Sequence, residues 1–210
     1  EKLIILEDQF PSNVYPWREL ASREGARLVT VPRPEDCDWT RALVEEIDAD
    51  TAVVAAPNCH WTDGSLVDLA RVGESVREAG ASLVVDGIQS LGALPFGVSE
   101  VRPDFLIAAS YKWLLGPYGV GFVYVGEEHR GGNPIEHNWI NRRGSEDFSQ
   151  LVDYQDAFQP GARRYDVGER SNFVLLPMAA EALRQILDWE VENVSETIGT
   201  LTDLIEQKAE

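Results

Sequence analysis

Residues 84–125 have the sequence VVDGIQSLGALPFGVSEVRPDFLIAASYKWLLGPYGVGFVYV. Short apolar runs in this stretch, rich in β-branched and aromatic residues, predict three strands. They are expected at 82–85, 105–109 and 121–125. Asp86 follows the first strand and Lys112 follows the second. Because ligands bind outside the carboxyl ends of strands in open α/β sheets, both loops are candidate site loops. An acid and a lysine there can hold a heteroaromatic ring between them, the acid at a protonated ring nitrogen and the lysine at a carbonyl carbon.

The sequence on either side alternates between short apolar runs and amphipathic helical patterns. This alternation predicts an α/β protein, with a mainly parallel sheet flanked by helices. Further strands are expected at 3–6, 26–31 and 51–56, and helices at 15–24, 39–47 and 65–79. Residues 126–168 lose the periodicity and are predicted to be irregular. Pro177 then fits a first helical turn, and apolar residues recur at steps of three and four as far as Ile205, which predicts one long amphipathic helix.

Composition and charge exclude several classes of protein. The 210 residues carry a formal charge of −18, which repels nucleic acid and anionic membranes, and 44% apolar residues can fill a core, which excludes intrinsic disorder. Cys37 and Cys59 form no C-x-x-C pair, so neither a disulfide framework nor a thiolate zinc site is expected, and the predicted location is the cytoplasm. No apolar run is long enough to cross a bilayer, and the first residues lack the features of a signal peptide. We expect the chain to be part of a longer protein, since it begins on a strand pattern and ends on a helix pattern.

The combination D-x-x-Q, a strand, and then S-x-K-W-L-x-G-P-x-G-x-G closely resembles the class V aminotransferase family. These are pyridoxal-phosphate enzymes that include cysteine desulfurases and kynureninases, and the resemblance implies the large domain of fold type I and an amino-acid substrate. It also implies that Lys112 forms the internal Schiff base with the cofactor and that Asp86 pairs with the pyridine nitrogen. Gln89 is then expected near the phenolic oxygen, and Ser110 and Tyr111 at the phosphate. The chemistry agrees, because a protonated pyridine nitrogen makes the ring an electron sink and needs a nearby anion.

Three further segments are similar to family positions. In DQFPSNVYPW, Phe10 corresponds to the aromatic residue that stacks on the cofactor, although it could instead be a core residue. Asn13 could reach the phenolic oxygen or cap the following helix. Trp139 resembles a tryptophan that approaches the phosphate in kynureninases, but it could instead serve in packing or at an interface. Asn172, in GERSNF, resembles a residue that reaches the partner subunit's phosphate, which implies a homodimer with shared active sites.

The reaction within the family is left open by the sequence. Tyr111, Phe10 and Trp139 favour a kynureninase-like hydrolase, whereas Gln89 argues against it, since kynureninases generally carry histidine at that position. The reactive cysteine of desulfurases and the arginine that would hold the substrate carboxylate are expected outside this chain. We therefore expect residues 1–176 to form a cofactor-binding large domain, incomplete at its N-terminus, and residues 177–210 to form a helix that leads toward a small domain.

The sequence also bears on two other function classes. A dinucleotide-binding oxidoreductase is rejected because Gly116, Gly119 and Gly121 precede a strand, whereas the phosphate-binding fingerprint must follow one. A metal-binding or purely structural α/β domain remains an alternative. The metal-binding form is poorly supported, because its candidate ligands lack the helical spacing of a two-histidine site. Its conceivable ligands are Glu127, Glu128, His129, Glu136 and His137.

The sequence does not assign a definite role to several further residues. Cys59 and His60 are adjacent, and adjacent side chains on an extended chain point to opposite faces, so they are not expected to pair as nucleophile and base. The roles of Asn58 and Trp61 remain open. Four arginines of the irregular segment could bind phosphate or a substrate carboxylate, or could pair with surface acids. They are Arg142, Arg143, Arg163 and Arg164.

Overall fold

The computed structural model describes residues 1–209, which contain one six-stranded sheet. Its strands are β1 (Lys2–Leu6), β2 (Arg27–Val31), β3 (Thr51–Pro57), β4 (Ser82–Asp86), β5 (Phe105–Ala109) and β6 (Gly121–Val125). They lie in the order β2-β1-β3-β4-β5-β6, and every neighbouring pair is parallel except the antiparallel pair β5/β6. The predicted fold class, a mainly parallel α/β sheet, is therefore confirmed. Each predicted strand is present, within one residue of the expected bounds.

The helices are α1 (Tyr15–Glu24), α2 (Trp39–Glu46), α3 (Leu69–Glu78), α4 (Val98–Val101), α5 (Leu175–Trp189) and α6 (Val191–Ala209). Helix α3 starts four residues later than predicted because Asp68 is its N-cap and accepts a hydrogen bond from the Arg71 amide. The residues before it are extended instead, and Val67 N–H donates to the Asn58 carbonyl. Apolar periodicity could not reveal this pairing, which depends on a distant segment.

The core lies between the sheet and helices α2 and α3. Ile4 and Val54 in the strands are fully buried, as are Trp39 of α2 and Val72 of α3. Parallel strands covered on both faces have nearly continuous apolar sequences, which explains why all of β1 is buried. Each such aliphatic side chain contributes about 1.5–3 kcal/mol through burial, so the core fixes the strands whose ends carry the polar residues.

The C-terminal region contains two helices where one was predicted. Glu190 adopts a positive φ of 63° and separates α5 from α6, while the Asn193 side chain donates to the Trp189 carbonyl. The apolar period continues across this residue, so periodicity alone does not detect the break. In contrast, residues 126–168 are irregular as predicted, with only short 3-10 turns. No helix among residues 1–209 has the length and apolar content needed to span a membrane.

Candidate active site

The carboxyl ends of β1, β3, β4 and β5 meet at one edge of the sheet because these strands are parallel. A cavity of about 490 Å³ lies at this edge. Its lining includes Gln9, Phe10, Asn13, Cys59, Trp61, Asp86, Gln89, Tyr111, Lys112 and Tyr118. Among the described residues that line it, Lys112 is the only amine and Asp86 the only carboxylate. An opposite pair of charges thus faces a surface that is otherwise mainly aliphatic and aromatic, with a few side-chain amides.

Asp86 is the last residue of β4, and both of its carboxylate oxygens accept hydrogen bonds. The Ile88 amide donates to Oδ1 at 2.9 Å, and Asn13 Nδ2 donates to Oδ2 at 2.6 Å. These donors suit the ionised form, which can only accept. Asp86 is therefore prepared to face a cationic group in the cavity.

Lys112 lies in the loop between β5 and β6, which is closed at its base. Ser110 N–H donates to the Val120 carbonyl at 2.9 Å, and Gly116 N–H returns to the Ser110 carbonyl at 2.8 Å. A Cβ at Gly116 would come within 2.6 Å of Ser110 Cβ, so glycine permits this tight closure. The other lysines of the chain do not face the cavity, since Lys2 is buried against Glu46 and Asp48 and Lys208 is exposed at the end of α6.

Aromatic rings line the cavity from two sides. Phe10 is 47% exposed and meets the Trp61 ring edge to face, with centroids 5.5 Å apart. Across from them, Tyr111 packs against Tyr118 at 4.6 Å. A half-exposed Phe10 at a strand end leaves an apolar face available for a planar ligand, so its interpretation as a simple core residue is wrong.

The loop after β1 is held by two side chains from the loop after β3. His60 is fully buried, and its Nε2 lies 3.0 Å from the Glu7 carbonyl, while Trp61 Nε1 donates to the Asp8 carbonyl at 2.5 Å. The carbonyl can only accept, so His60 Nε2 carries a hydrogen and donates it to Glu7, while Nδ1 lies 2.9 Å from Thr62 Oγ1. We call this pair, His60 and Trp61, the loop clamp.

The model of the family described as Aminotransferase class-V matches residues 1–208. The chain belongs to the class V aminotransferase family.

Relatives and a solved structure agree with this membership. The chain is 30% identical over 188 residues to the uncharacterized aminotransferase YcbU of Bacillus subtilis, covering 82% of this chain and 48% of that protein. It is 29% identical over 129 residues to a cysteine desulfurase of an Enterobacter species, covering 61% and 32%. A C-DES mutant with glycine covalently linked to its PLP cofactor has a TM-score of 0.82 at 20% identity, over 99% of this chain and 55% of that one. The chain therefore spans about half or less of the length of these proteins.

The class V aminotransferase family uses pyridoxal phosphate, and the cavity has the donor set for this group. A ring nitrogen that is protonated needs an anion such as Asp86, a carbonyl carbon needs an amine such as Lys112, and a flat ring needs an apolar face such as Phe10. The cavity presents all three residue types toward the same space. The residues present thus fit the cofactor, and the likeness in structure confirms the expected fold type I.

The structure brings most of the predicted site residues of this family together. Those that line the cavity are Phe10, Asn13, Asp86, Gln89, Tyr111 and Lys112. The alternative role of Asn13 as a helix cap is wrong, because α1 has Val14 as its N-cap and no side-chain cap bond.

Three predicted residues do not line the cavity of this single chain. Ser110 is 1% exposed, and its hydroxyl donates to the Pro117 carbonyl at 2.6 Å. Trp139 packs edge to face on Phe148 in the irregular segment. Asn172 Oδ1 accepts hydrogen bonds from backbone amides ahead of α5, including that of Leu175 at 2.8 Å.

The arginines of the irregular segment also lie outside the cavity. Arg142 donates to the Asp156 carbonyl and stacks over the Phe158 ring at 4.2 Å. Arg163 pairs with Glu146, and Arg164 donates to the Gly132 carbonyl. For these three arginines the interpretation as local structural contacts is favoured.

The surroundings of the candidate metal ligands and of Cys59 do not favour a metal site or a thiol nucleophile. His129 Nε2 lies 2.6 Å from Asp104 Oδ1, and residues 1–209 contain no group of three or more His, Cys, Asp or Glu placed to share a metal ion. Burial raises the pKa of Cys59, and the charge of Asp63 adds to this, so the thiol stays protonated and a poor nucleophile. His60, Trp61 and Gln9 were the contributors that sequence reasoning missed, and the one signal for them was their position at strand ends.

Proposed function

We propose that this chain is the large domain of a pyridoxal-phosphate-dependent enzyme that acts on an amino acid, with Lys112 as the covalent anchor of the cofactor. One observation carries the proposal: a single amine and a single carboxylate face the same cavity, at the ends of adjacent strands. The low cysteine content further favours a cytoplasmic protein.

Each residue would hold a different part of the cofactor. Asp86 would accept a hydrogen bond from the protonated ring nitrogen. Phe10 would stack on the ring face, and Gln89 would approach the phenolic oxygen. Tyr111 would reach the phosphate. Ser110 could join it only by turning its hydroxyl away from Pro117.

When bound, pyridoxal phosphate supplies a carbonyl carbon that combines with an amino group and a ring that accepts electrons from the substrate α-carbon. Asp86 would hold a negative charge at the ring nitrogen, and Asn13 and the Ile88 amide stabilise that charge by donating to its carboxylate oxygens. Lys112 Nζ would anchor the cofactor, and as an amine that lines the cavity it could also hold a proton there. The aromatic residues Phe10, Trp61 and Tyr111 limit access of water to these groups.

The reaction subtype is the finer part of the proposal. Phe10 at the cavity and Tyr111 before the lysine favour a kynureninase-like hydrolase, while the similarity to cysteine desulfurases and transaminases favours C–S cleavage or amino transfer. Incubation of the intact protein with kynurenine, cysteine, or an amino acid and a keto acid separates them by product: anthranilate, persulfide sulfur or a new amino acid.

We further propose a homodimer with shared active sites, in which Trp139 and Asn172 approach the partner's cofactor. Two apolar surfaces near the start of α5 support it. Phe173 is 90% exposed, and an open groove of about 680 Å³ runs between Leu115 and the side chains of Met178 and Trp189. Exposed aromatic and Met side chains in contiguous groups are typical of interfaces. The division into residues 1–176 and a helical segment from 177 belongs to the same proposal.

Chemical trapping tests the anchor directly. The intact protein, saturated with pyridoxal phosphate, should absorb visible light, and borohydride should fix the cofactor to one peptide. We expect that peptide to contain Lys112. A Lys112→Ala variant should retain no cofactor after reduction, whereas Lys208→Ala should be labelled like the wild type. Label on another lysine, or none in the cofactor-saturated protein, would contradict the proposal.

A further inference from the structure

Gln9 lies in the loop after β1 and lines the cavity, and part of its side chain lacks a partner. The residue is 8% exposed, and its amide nitrogen Nε2 has no hydrogen-bond partner among the described residues. Leaving a buried donor unpaired is unfavourable. A glutamine would normally avoid this by turning its amide, so something must hold the amide in this orientation.

Hydrogen-bonding rules fix that orientation, starting from Asp86. The ionised carboxylate can only accept, so Asn13 must present its NH₂ group to Asp86 Oδ2, 2.6 Å away. The same Nδ2 carries a second hydrogen, and Gln9 Oε1 lies 3.3 Å from it. Gln9 must therefore present its oxygen to Asn13, which leaves its own nitrogen without a partner.

We infer that Gln9 is a positioning residue for Asp86 and acts through Asn13. The inference rests on the proposed function, since it is the cofactor that gives the Asp86 charge its use. Gln9 Oε1 binds one hydrogen of the Asn13 amide, so the other hydrogen stays directed at the carboxylate. Without that acceptor, the Asn13 amide is free to rotate about its last side-chain bond and to leave Asp86 short of one donor.

The loop clamp explains why Gln9 itself stays in place. His60 and Trp61 bind the carbonyls of Glu7 and Asp8, the two residues directly before Gln9. Asp8 has a φ of 54°, an uncommon value for a residue other than glycine, and the contacts on both sides sustain it. The side chains of His60, Trp61, Gln9 and Asn13 thus form a chain of contacts. Its last member, Asn13, donates a hydrogen bond to Asp86.

The test uses the side-chain amide of Asn13 in the cofactor-free intact protein, labelled with ¹⁵N-asparagine. In Gln9→Met, which keeps the length but removes the oxygen, the Asn13 NH₂ hydrogens should exchange with water about tenfold faster, as expected for the loss of one net hydrogen bond. Gln9→Glu keeps an oxygen toward Asn13 and should retain the slow exchange. Gln155→Met, on an exposed loop, is the matched control and should leave Asn13 unchanged.

Two outcomes would overturn the inference: unchanged Asn13 exchange in Gln9→Met, or fast exchange in Gln9→Glu. If Gln9→Met does not fold, the smaller Gln9→Ala takes its place, with the same faster Asn13 exchange expected and unchanged exchange again overturning the inference. In the cofactor-loaded protein, the visible circular dichroism should change in Gln9→Met and be restored in Gln9→Glu. A wild type that binds no cofactor would refute the proposed function, while the cofactor-free measurement would still judge Gln9.

Discussion

Asp63 follows the loop clamp and has a strongly perturbed carboxyl group. Burial alone would raise its pKa, but hydrogen bonds from Ser65 and Arg33, together with nearby His60, outweigh this and lower the pKa from 3.8 to about 2. A carboxyl whose pKa is lower in the folded state stabilises the fold above its unfolded pKa. That contribution disappears as the pH falls through the folded pKa.

The stability of Asp63→Asn should therefore depend on pH in a defined way. We expect the variant to unfold at lower urea concentration than the wild type at about pH 6, and the difference to shrink as the pH drops from about 4 toward 2. Asp153→Asn, in the irregular segment, serves as the control and should show no such trend. A stability difference that grows on acidification would contradict the assignment.

At the scale of single residues, the sequence predicts the groups that act on a ligand better than the groups that support them. Asp86 and Lys112 follow apolar strands and can be found from that position alone. Gln9 and His60 also follow apolar strands, but that position does not reveal their roles, since these depend on contacts with Asn13 and the Glu7 carbonyl in the folded loops. For Ser110 the sequence suggested a phosphate contact, whereas in the structure its hydroxyl donates to the Pro117 carbonyl in the same loop.

At the scale of elements, the loop that carries Lys112 depends on a close contact with the segment after β4. Gly92 has a φ of 97°, and a Cβ there would overlap the backbone carbonyl of Trp113, the residue after the lysine. The loop and this segment can approach so closely only because residue 92 has no side chain.

Gly92→Ala should therefore displace the lysine loop as well as destabilise the protein. We expect a loss of about 1–3 kcal/mol from the positive φ, with an added loss of cofactor affinity from the overlap. Gly80→Ala is a matched control, because Gly80 also has a positive φ of 73° but has open space around its Cβ position. Urea unfolding and cofactor titration of both variants separate the effects. Equal cofactor affinity in the two would show that the contact does not hold the loop.

Element boundaries were predictable where local signals set them. Strand β5 and helix α1 have their predicted bounds, since an apolar run and a helical period end there together with turn residues such as Gly25. The start of α3 and the break at Glu190 were not predictable. The first depends on pairing with residues 58–60, and the second on a single backbone angle that no sequence period records.

At the scale of the whole molecule, the proposed homodimer predicts a concentration-dependent assembly that the cofactor strengthens. If the active sites are shared, cofactor binding and dimerisation are thermodynamically linked. Pyridoxal phosphate should then shift the monomer–dimer equilibrium toward the dimer in sedimentation experiments on the intact protein.

Phe173→Asp should weaken that dimer. It replaces an apolar side chain, 90% exposed in the single chain, with a charge that would be unfavourable to bury in an interface. The fold should be unaffected because the side chain is exposed. Ser99→Asp adds the same charge at an exposed position of α4 and should leave assembly unchanged. A monomer that binds the cofactor tightly, with or without Phe173, would contradict shared sites.

The antiparallel pairing of β5 with β6 also bears on the order in which the chain folds. Every other strand pair in the sheet is joined through a longer crossover, whereas β5 and β6 are joined by one loop whose base is already hydrogen-bonded. Short-range pairs cost less loop-closure entropy and form sooner than long-range parallel ones. We therefore expect the hairpin carrying Lys112 to be an early folding unit, protected from amide exchange before β1 and β3 are joined. The lysine would then be held in its loop before the remaining walls of the cavity are built around it.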